Sequence, residues 1–378
     1  MRTIVIAVFL CWASAAAAQI KKPAARPTAK AKSAVRSQTA SRKSTVRRPR
    51  RVASGPWRAP NYADSTEGDN PAGDDPTIRA AAIDALGRYN GTLVVVDPHS
   101  GRILTLVNQK VAFKAGFQPC STIKIVVGLA ALCEGIVERT TPLSITRRLR
   151  MDMTAALARS DNPYFAKLGK LLGFDRVSYY ARLLGLGEKS GFGIEGEQSG
   201  TLPAEEPKHG GVGMMSSFGE GISLTPLQLA AALSAMANGG TLYYLQYPRS
   251  QEEVANFTPK VKRQLDVQSW ITEVKPGMMA AVEYGTAKKA YYDPNEPILG
   301  KTGTCTDRAT PTHLGWFGSF NDVEKNRLVV VVLLTGGNRV NGPAAAAVAG
   351  DLYRRLSTQS YFARSPGDLV ASVTGGVQ

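Results

Sequence analysis

Fourteen lysines and arginines, and not one carboxylate, fall within the first 60 of the chain's 378 residues. Arg2 is followed by thirteen cations between Lys21 and Arg58; taking 14 from the formal +16 leaves +2 for the other 318 residues. From residue 19 to 60 these cations alternate with Ala, Ser, Thr and Pro and almost no large apolar residue. Such a segment buries too little surface to offset the entropy of ordering it, so it reads as disordered. A folded core therefore belongs to the near-neutral remainder, long enough for one large domain or two modest ones. The basicity is that of an arm and carries no nucleic-acid signal.

Met1-Arg2, the uncharged apolar run from Thr3 to Ala18 and the small triplet Ala16-Ala17-Ala18 before Gln19 read as a signal peptide over residues 1–18. The run has 16 residues, against the ~20 that span a bilayer as a helix. Lys21 and Lys22 directly beyond the cut resist translocation, so retention as an anchor is the alternative. Both readings make the protein exported, with its bulk periplasmic or otherwise extracytoplasmic. Residues 19–76 read as a linker, basic and then acidic from 61 onward (Asp64, Glu67, Asp69, Asp74, Asp75). The arm at 21–58 suits anionic lipid headgroups or cell-wall carboxylates, with a solvated spacer as the plainer reading. Three histidines far apart in sequence argue against a histidine-built metal site, and four cysteines are too few for a disulfide scaffold.

Helix-period residues run from Thr77 to Leu86. Two β-rich runs, Gly91–Asp97 and Arg102–Val107, flank a turn at Pro98–Gly101. Ile125, Gly128, Leu129 and Leu132 recur at helical spacing in a helix expected from Ser121 to Gly135. Short helices and Gly-rich loops fill 150–240, the clearest being Thr225–Ala237, opened by Thr225-Pro226. Strands are expected at Ile298–Cys305, His313–Phe320 and Leu328–Leu334, then an Ala-rich helix over Pro343–Leu356. Two strands, a helical block, three strands and a helix give an α+β class, with sequence-distant strands sharing one antiparallel sheet.

Three short motifs carry chemistry. Ser121-Thr-Ile-Lys124 opens a helix, where residues three apart share a face and a lysine can serve as base to a serine nucleophile. Ser160-Asp161-Asn162 precedes Pro163, which disfavours helix at Asn162 and places the triplet in a loop that can present a hydroxyl and an amide. Lys301-Thr302-Gly303-Thr304 lies in a β-rich run, with Lys301 and Gly303 on one face and hydroxyls adjacent. Each alone is ordinary: a capping serine beside a solvated lysine, a polar cap before a helix, an exposed strand.

In this order and setting the three resemble the motif set of penicillin-binding proteins and serine β-lactamases. The likeness extends to Gly91–Val107, Gly196–Pro203, Gly219–Ala230, Ala237–Gly240 and Gly285–Ala287, and covers about residues 77–357. It implies a β-lactamase/transpeptidase-like fold, an antiparallel sheet flanked by helices with an all-helical subdomain, over 77–360, followed by a tail at 361–378. Three departures stand out. Cys120 occupies a position where transpeptidases usually have glycine, Gly219-Glu220-Gly221 replaces Gly-Gln-Gly, and only 39 positions separate Ser121 from Ser160. No glycosyltransferase or large pedestal domain is expected beside this stand-alone catalytic domain.

The resemblance further implies acyl transfer without metal or cofactor. Ser121 would attack a D-Ala-D-Ala-like peptide or a β-lactam, with Lys124 as base and the N–H groups of Ser121 and Thr304 as oxyanion hole. Ser160, with Lys301, would relay a proton to the leaving nitrogen. Asn162 would bind the substrate amide, while Lys301, Thr302, Gly303 and Thr304 form the strand that holds its carboxylate. The implied partners are peptidoglycan stem peptides and β-lactam antibiotics. By the same likeness, a disulfide is expected between Cys120 and Cys305, as some related β-lactamases have. The leading expectation is a penicillin-binding D,D-transpeptidase or D,D-carboxypeptidase. A serine β-lactamase and a β-lactam or muropeptide sensor are the alternatives.

Overall fold

The run Gly91-Thr-Leu-Val-Val-Val96 is buried at every position, which an alternating surface strand cannot be. It forms β1 (Gly91–Val96), inside a five-stranded sheet with β2 (Ile103–Val107), β3 (Ile298–Asp307), β4 (Thr312–Asn321) and β5 (Val329–Gly336). In this computed structural model, which describes residues 57–114, 116–307 and 310–363, the strand order is β2-β1-β5-β4-β3 with every neighbouring pair antiparallel. The export segment, most of the basic arm and the tail from 364 lie outside the described residues.

Because side chains alternate along a strand, each central strand feeds two cores. Val94 and Val96 of β1, with Val329, Val331 and Leu333 of β5, face one; Leu93, Val95, Val330, Val332 and Leu334 face the other. The main helices are α1 (Pro76–Leu86), α2 (Lys124–Cys133), α3 (Met153–Arg159), α4 (Asn162–Leu172), α5 (Pro226–Ala237), α6 (Gln268–Glu283) and α7 (Gly342–Thr358), with other helical segments at Gln109–Ala112, Phe174–Leu183, Gly211–Phe218 and Gln251–Ala255. α5, capped by a reciprocal Thr225–Gln228 box, lies close against the first face. A Cβ at Gly318 would stand 2.7 Å from Leu233 Cδ1, so glycine is what admits the helix there. α1 and α7 cover the second face through Ile78, Leu86, Leu352 and Tyr353. β3 ends the sheet, and its outer edge faces the helical block.

The acidic stretch is no linker. Asp69 accepts hydrogen bonds from Arg79, Asn108 N and Gln109 N, and Asp74 from Arg79, Thr105 and Tyr247. Both carboxylates are almost wholly buried, with side chains 2% and 1% exposed. The composition reads as solvated because its acids are many; these two are enclosed because Arg79 of α1, Thr105 and the chain just after β2, and the distant Tyr247 supply donors to them. The folded part also runs past residue 360, since Tyr361 and Phe362 bury against the core under α1 and α7. α6 and two short hairpins, at Leu143–Ser144 with Arg150–Met151 and Thr241–Tyr243 with Val261–Gln264, have no counterpart in the sequence reading. Among the described residues no helix is long and apolar enough to cross a membrane.

Breaking the Asp74 cluster leaves Arg79 buried without one of its two carboxylates. Asp74→Ala is expected to destabilise the fold by about 3 kcal/mol, read as a lowered urea midpoint at unchanged m-value. A loss below ~0.5 kcal/mol, typical of a surface substitution, would return the stretch to the status of a linker.

Candidate active site

Ser121 does not open the helix as the sequence reading has it. A single 3-10 turn, Cys120–Ile123, precedes α2, because Thr122 N and Thr122 Oγ1 both donate to Pro119 O. The turn is fixed from outside as well. Trp316 Nε1 donates to Gln118 O at 3.0 Å, and Gln118 Nε2 donates to Phe218 O at 3.1 Å. Gly219, at φ +71°, packs where a Cβ would meet Pro119 Cγ. Cys120 itself has φ +52°, a left-handed conformation that favours glycine. Here an L-residue holds it while joined by a disulfide to Cys305, with Cα atoms 5.6 Å apart.

Lys124 starts α2 one turn on, with none of its surface exposed. Its Nζ lies 3.1 Å from Ser121 Oγ, 3.1 Å from Ser160 Oγ, 2.8 Å from Ser160 O and 2.5 Å from Asn162 Oδ1. Burial pulls its pKa down from the usual 10.5 to about 7, and the Asp161 carboxylate opposes that fall. A neutral amine has two hydrogens and one lone pair. The carbonyl oxygens of Ser160 and Asn162 can only accept, so they take the hydrogens and the single lone pair is left for a hydroxyl, that of Ser121 or that of Ser160.

The Ser160-Asp-Asn162 triplet is tighter than a loop. Ser160 is the left-handed cap of α3 (φ +56°), Asp161 caps α4 by accepting from Tyr164 N at 2.7 Å, and Asn162 is the first helical residue. Proline's aversion to a helical predecessor is weak at a first turn, where no earlier carbonyl has to be met. The capping task thus falls to Asp161, and its neighbours are left to face Lys124.

β3 brings the third group. Gly303 passes the Cys120–Ile123 turn so closely that a Cβ would lie 3.0 Å from Pro119 O and 3.2 Å from both Cys120 Cβ and Thr122 Cγ2. Lys301, on the same face, is wholly buried, and its Nζ donates to Thr302 O at 3.1 Å. Burial first, and then the charge of Lys124, drive its pKa well below the usual lysine value. The plain reading of an ordinary exposed strand therefore does not describe Lys301. Among the described residues no hydrogen bond joins Lys301 to Ser160. Thr302 Oγ1 lies 2.6 Å from Thr286 Oγ1, and Thr304 Oγ1 accepts from Gly342 N at 2.8 Å. Thr286 and Trp316 have no part in the sequence reading of the site, although Gly285-Thr-Ala287 is one of its family-like stretches.

Among the described residues no group of three or more His, Cys, Asp or Glu could hold a metal. A cavity of about 800 Å³ between the β1–β2 and β4–β5 turns includes no motif residue.

A sequence profile described as the penicillin binding protein transpeptidase domain matches residues 91–354. The chain is 30% identical over 209 residues to stage V sporulation protein D of Bacillus subtilis, covering 52% of this chain and 32% of that protein. It is 25% identical over 294 residues to the peptidoglycan D,D-transpeptidase MrdA of Haemophilus influenzae, covering 64% and 45%. It spans about a third to a half of the length of these curated relatives. In structure it is similar to the transpeptidase domain of penicillin-binding protein 3 from Burkholderia pseudomallei, with TM-score 0.64 and 20% identity over 77% of this chain and 94% of that one.

The buried lysine ties stability to pH. Between about 7 and 10.5 the unfolded chain holds a proton on Lys124 that the folded chain lacks, so stability rises with pH across that window. Against Lys124→Met, the wild type should gain stability steadily over those pH values and run parallel below 7, in urea titrations at each pH. Parallel curves throughout would show an amine with an ordinary pKa.

Proposed function

Starting from the chain's membership of the penicillin-binding protein transpeptidase family, we propose that it is a serine acyltransferase of the cell wall. Its substrates are D-Ala-D-Ala-ended peptidoglycan stem peptides, its place is outside the cytoplasm, and β-lactams acylate it as substrate mimics. The observation that carries this reading is the contact of one desolvated amine, Lys124 Nζ, with both Ser121 Oγ and Ser160 Oγ at 3.1 Å.

Lys124, whose neutral form a pKa of about 7 makes available, takes the proton of Ser121 Oγ as that oxygen attacks the carbonyl carbon of the penultimate D-Ala. Negative charge gathers on the carbonyl oxygen, for which the N–H groups of Ser121 and Thr304 are the proposed donors, each worth about 3 kcal/mol. Thr304 stands between Gly303, which abuts the turn, and Cys305, which is bonded to it, so the disulfide sets the spacing of that pair. On collapse the C–N bond breaks. The proton passes from Lys124 through Ser160 Oγ to the departing D-Ala nitrogen, leaving an ester on Ser121. A second peptide's amine, or water, then attacks the ester, returns a proton by way of Lys124 and frees the serine. Asn162 aligns the substrate amide. Thr302 and Thr304 hold its carboxylate, and Lys301 acts from below through the Thr302 carbonyl.

A β-lactamase needs a base that clears the acyl-enzyme quickly. Glu197, the carboxylate in the family-like stretch after residue 196, accepts from Ser190 N and Gly191 N at 2.8–3.0 Å and is spent on its own loop. That favours a slow acyl-enzyme.

Fluorescent penicillin should label the purified protein as an adduct lasting many minutes, and Ser121→Ala should remove the label. Rapid loss of label with product accumulation would make the protein a β-lactamase, and labelling of the alanine variant would unseat Ser121. The acylation rate should also climb through about pH 7 as Lys124 gives up its proton. Lys124→Arg should cost roughly 10²–10⁴-fold, and a flat profile would assign the base elsewhere.

A further inference from the structure

One hydroxyl outside the three motifs touches the candidate site, and it does so from an element that also braces Ser160. After α6 the chain turns at Gly285 so close to α3 that a Cβ there would lie 2.2 Å from Ala158 O. Thr286 N donates to that same carbonyl at 3.0 Å, two residues before Ser160. Thr286 Oγ1 then reaches Thr302 Oγ1 at 2.6 Å on the edge strand. A single residue therefore spans from the Ser160 element to the strand proposed to hold the substrate.

We infer that Thr286 is a positioning residue for substrate carboxylate recognition: by donating to Thr302 Oγ it turns the Thr302 O–H outward, toward an anionic ligand on the edge of β3. The inference rests on the acyltransfer reading above. Its physical basis is the hydrogen count of two hydroxyls. Each has one hydrogen and two lone pairs, and two oxygens 2.6 Å apart share one hydrogen between them. If Thr302 donated, its lone pairs would meet the ligand, and a carboxylate, which only accepts, would be repelled. With Thr286 as donor, the Thr302 hydrogen is free for the carboxylate and the chain of two bonds is polarised in one direction. Thr302 is 4% exposed, and its carbonyl is held from the other side by Lys301, so the hydroxyl has little freedom to find the ligand by moving. A Cβ at Gly342 would lie 2.8 Å from Thr302 Cβ, which closes the remaining side.

The test compares benzylpenicillin with its methyl ester, in which the carboxylate is capped, on wild type, Thr286→Val, Thr286→Ser and Thr302→Val. A hydrogen bond to a charged group sets the scale, so Thr286→Val should lower the second-order acylation constant for benzylpenicillin about tenfold. The ester should react with the valine variant within about twofold of its wild-type constant, and Thr286→Ser should restore most of the loss. In a Thr302→Val background, Thr286→Val should cost nothing further. Equal losses for acid and ester, or a full loss persisting without the Thr302 hydroxyl, would make Thr286 a structural brace only, as would a valine variant indistinguishable from wild type. A wild type that neither compound acylates would overturn the acyltransferase reading itself, and this inference with it.

Discussion

A lysine amine with no surface in water has to be met by oxygen on nearly every side or give up its proton, and Lys124 does both. Its four oxygen neighbours come from two places, the turn before α2 and the junction of α3 with α4. Those elements have to sit where they do for the amine to be buried at tolerable cost, because an unpaired charge in that position is among the most expensive things a fold can contain. The low pKa and the closeness of two serines are one arrangement seen from two sides. Desolvation frees a lone pair, and the fixed acceptors aim it.

The second constraint is the edge of the sheet. β3 is a terminal strand, and an open strand edge is a ready template for an extended chain. Here that edge is drawn against the Cys120–Ile123 turn by Gly303, where any side chain would crowd Pro119 O, and by the Cys120–Cys305 bond. A second buried amine, Lys301, lies under the same strand, where burial first and then the like charge of Lys124 push its pKa well below the usual lysine value. Burial lowers the pKa of both lysines, which eases the repulsion between two amines in one dry space.

Local pattern went far with the elements. The all-buried β1, the three late strands and the helix opened by Thr225-Pro226 are written in runs, periods and caps that need no distant partner. It failed where a distant partner decides. Asp69 and Asp74 resemble their solvated neighbours Asp64 and Glu67 in sequence and differ in meeting Arg79 and donors from around β2 and Tyr247. α6 carries Ile271, Val274, Met278 and Ala281 at helical spacing, a legible signal interrupted by Pro276 within the helix.

The candidate site divides the same way. Which residues are chemically capable, Ser121, Lys124, Ser160, Asn162 and Lys301, is a matter of side-chain type and short spacing, and it stands in the chain itself. So does the adjacency of Ser121 and Lys124, since three residues make a turn. That Ser160 lies against a lysine 36 residues away, that Lys301 is sealed rather than exposed, and that Thr286 grips Thr302 all depend on how the helices close on the strand edge. Those are contacts between segments whose separation along the chain says nothing of their distance in space, and burial, which sets the protonation of both lysines, exists only once the segments have met.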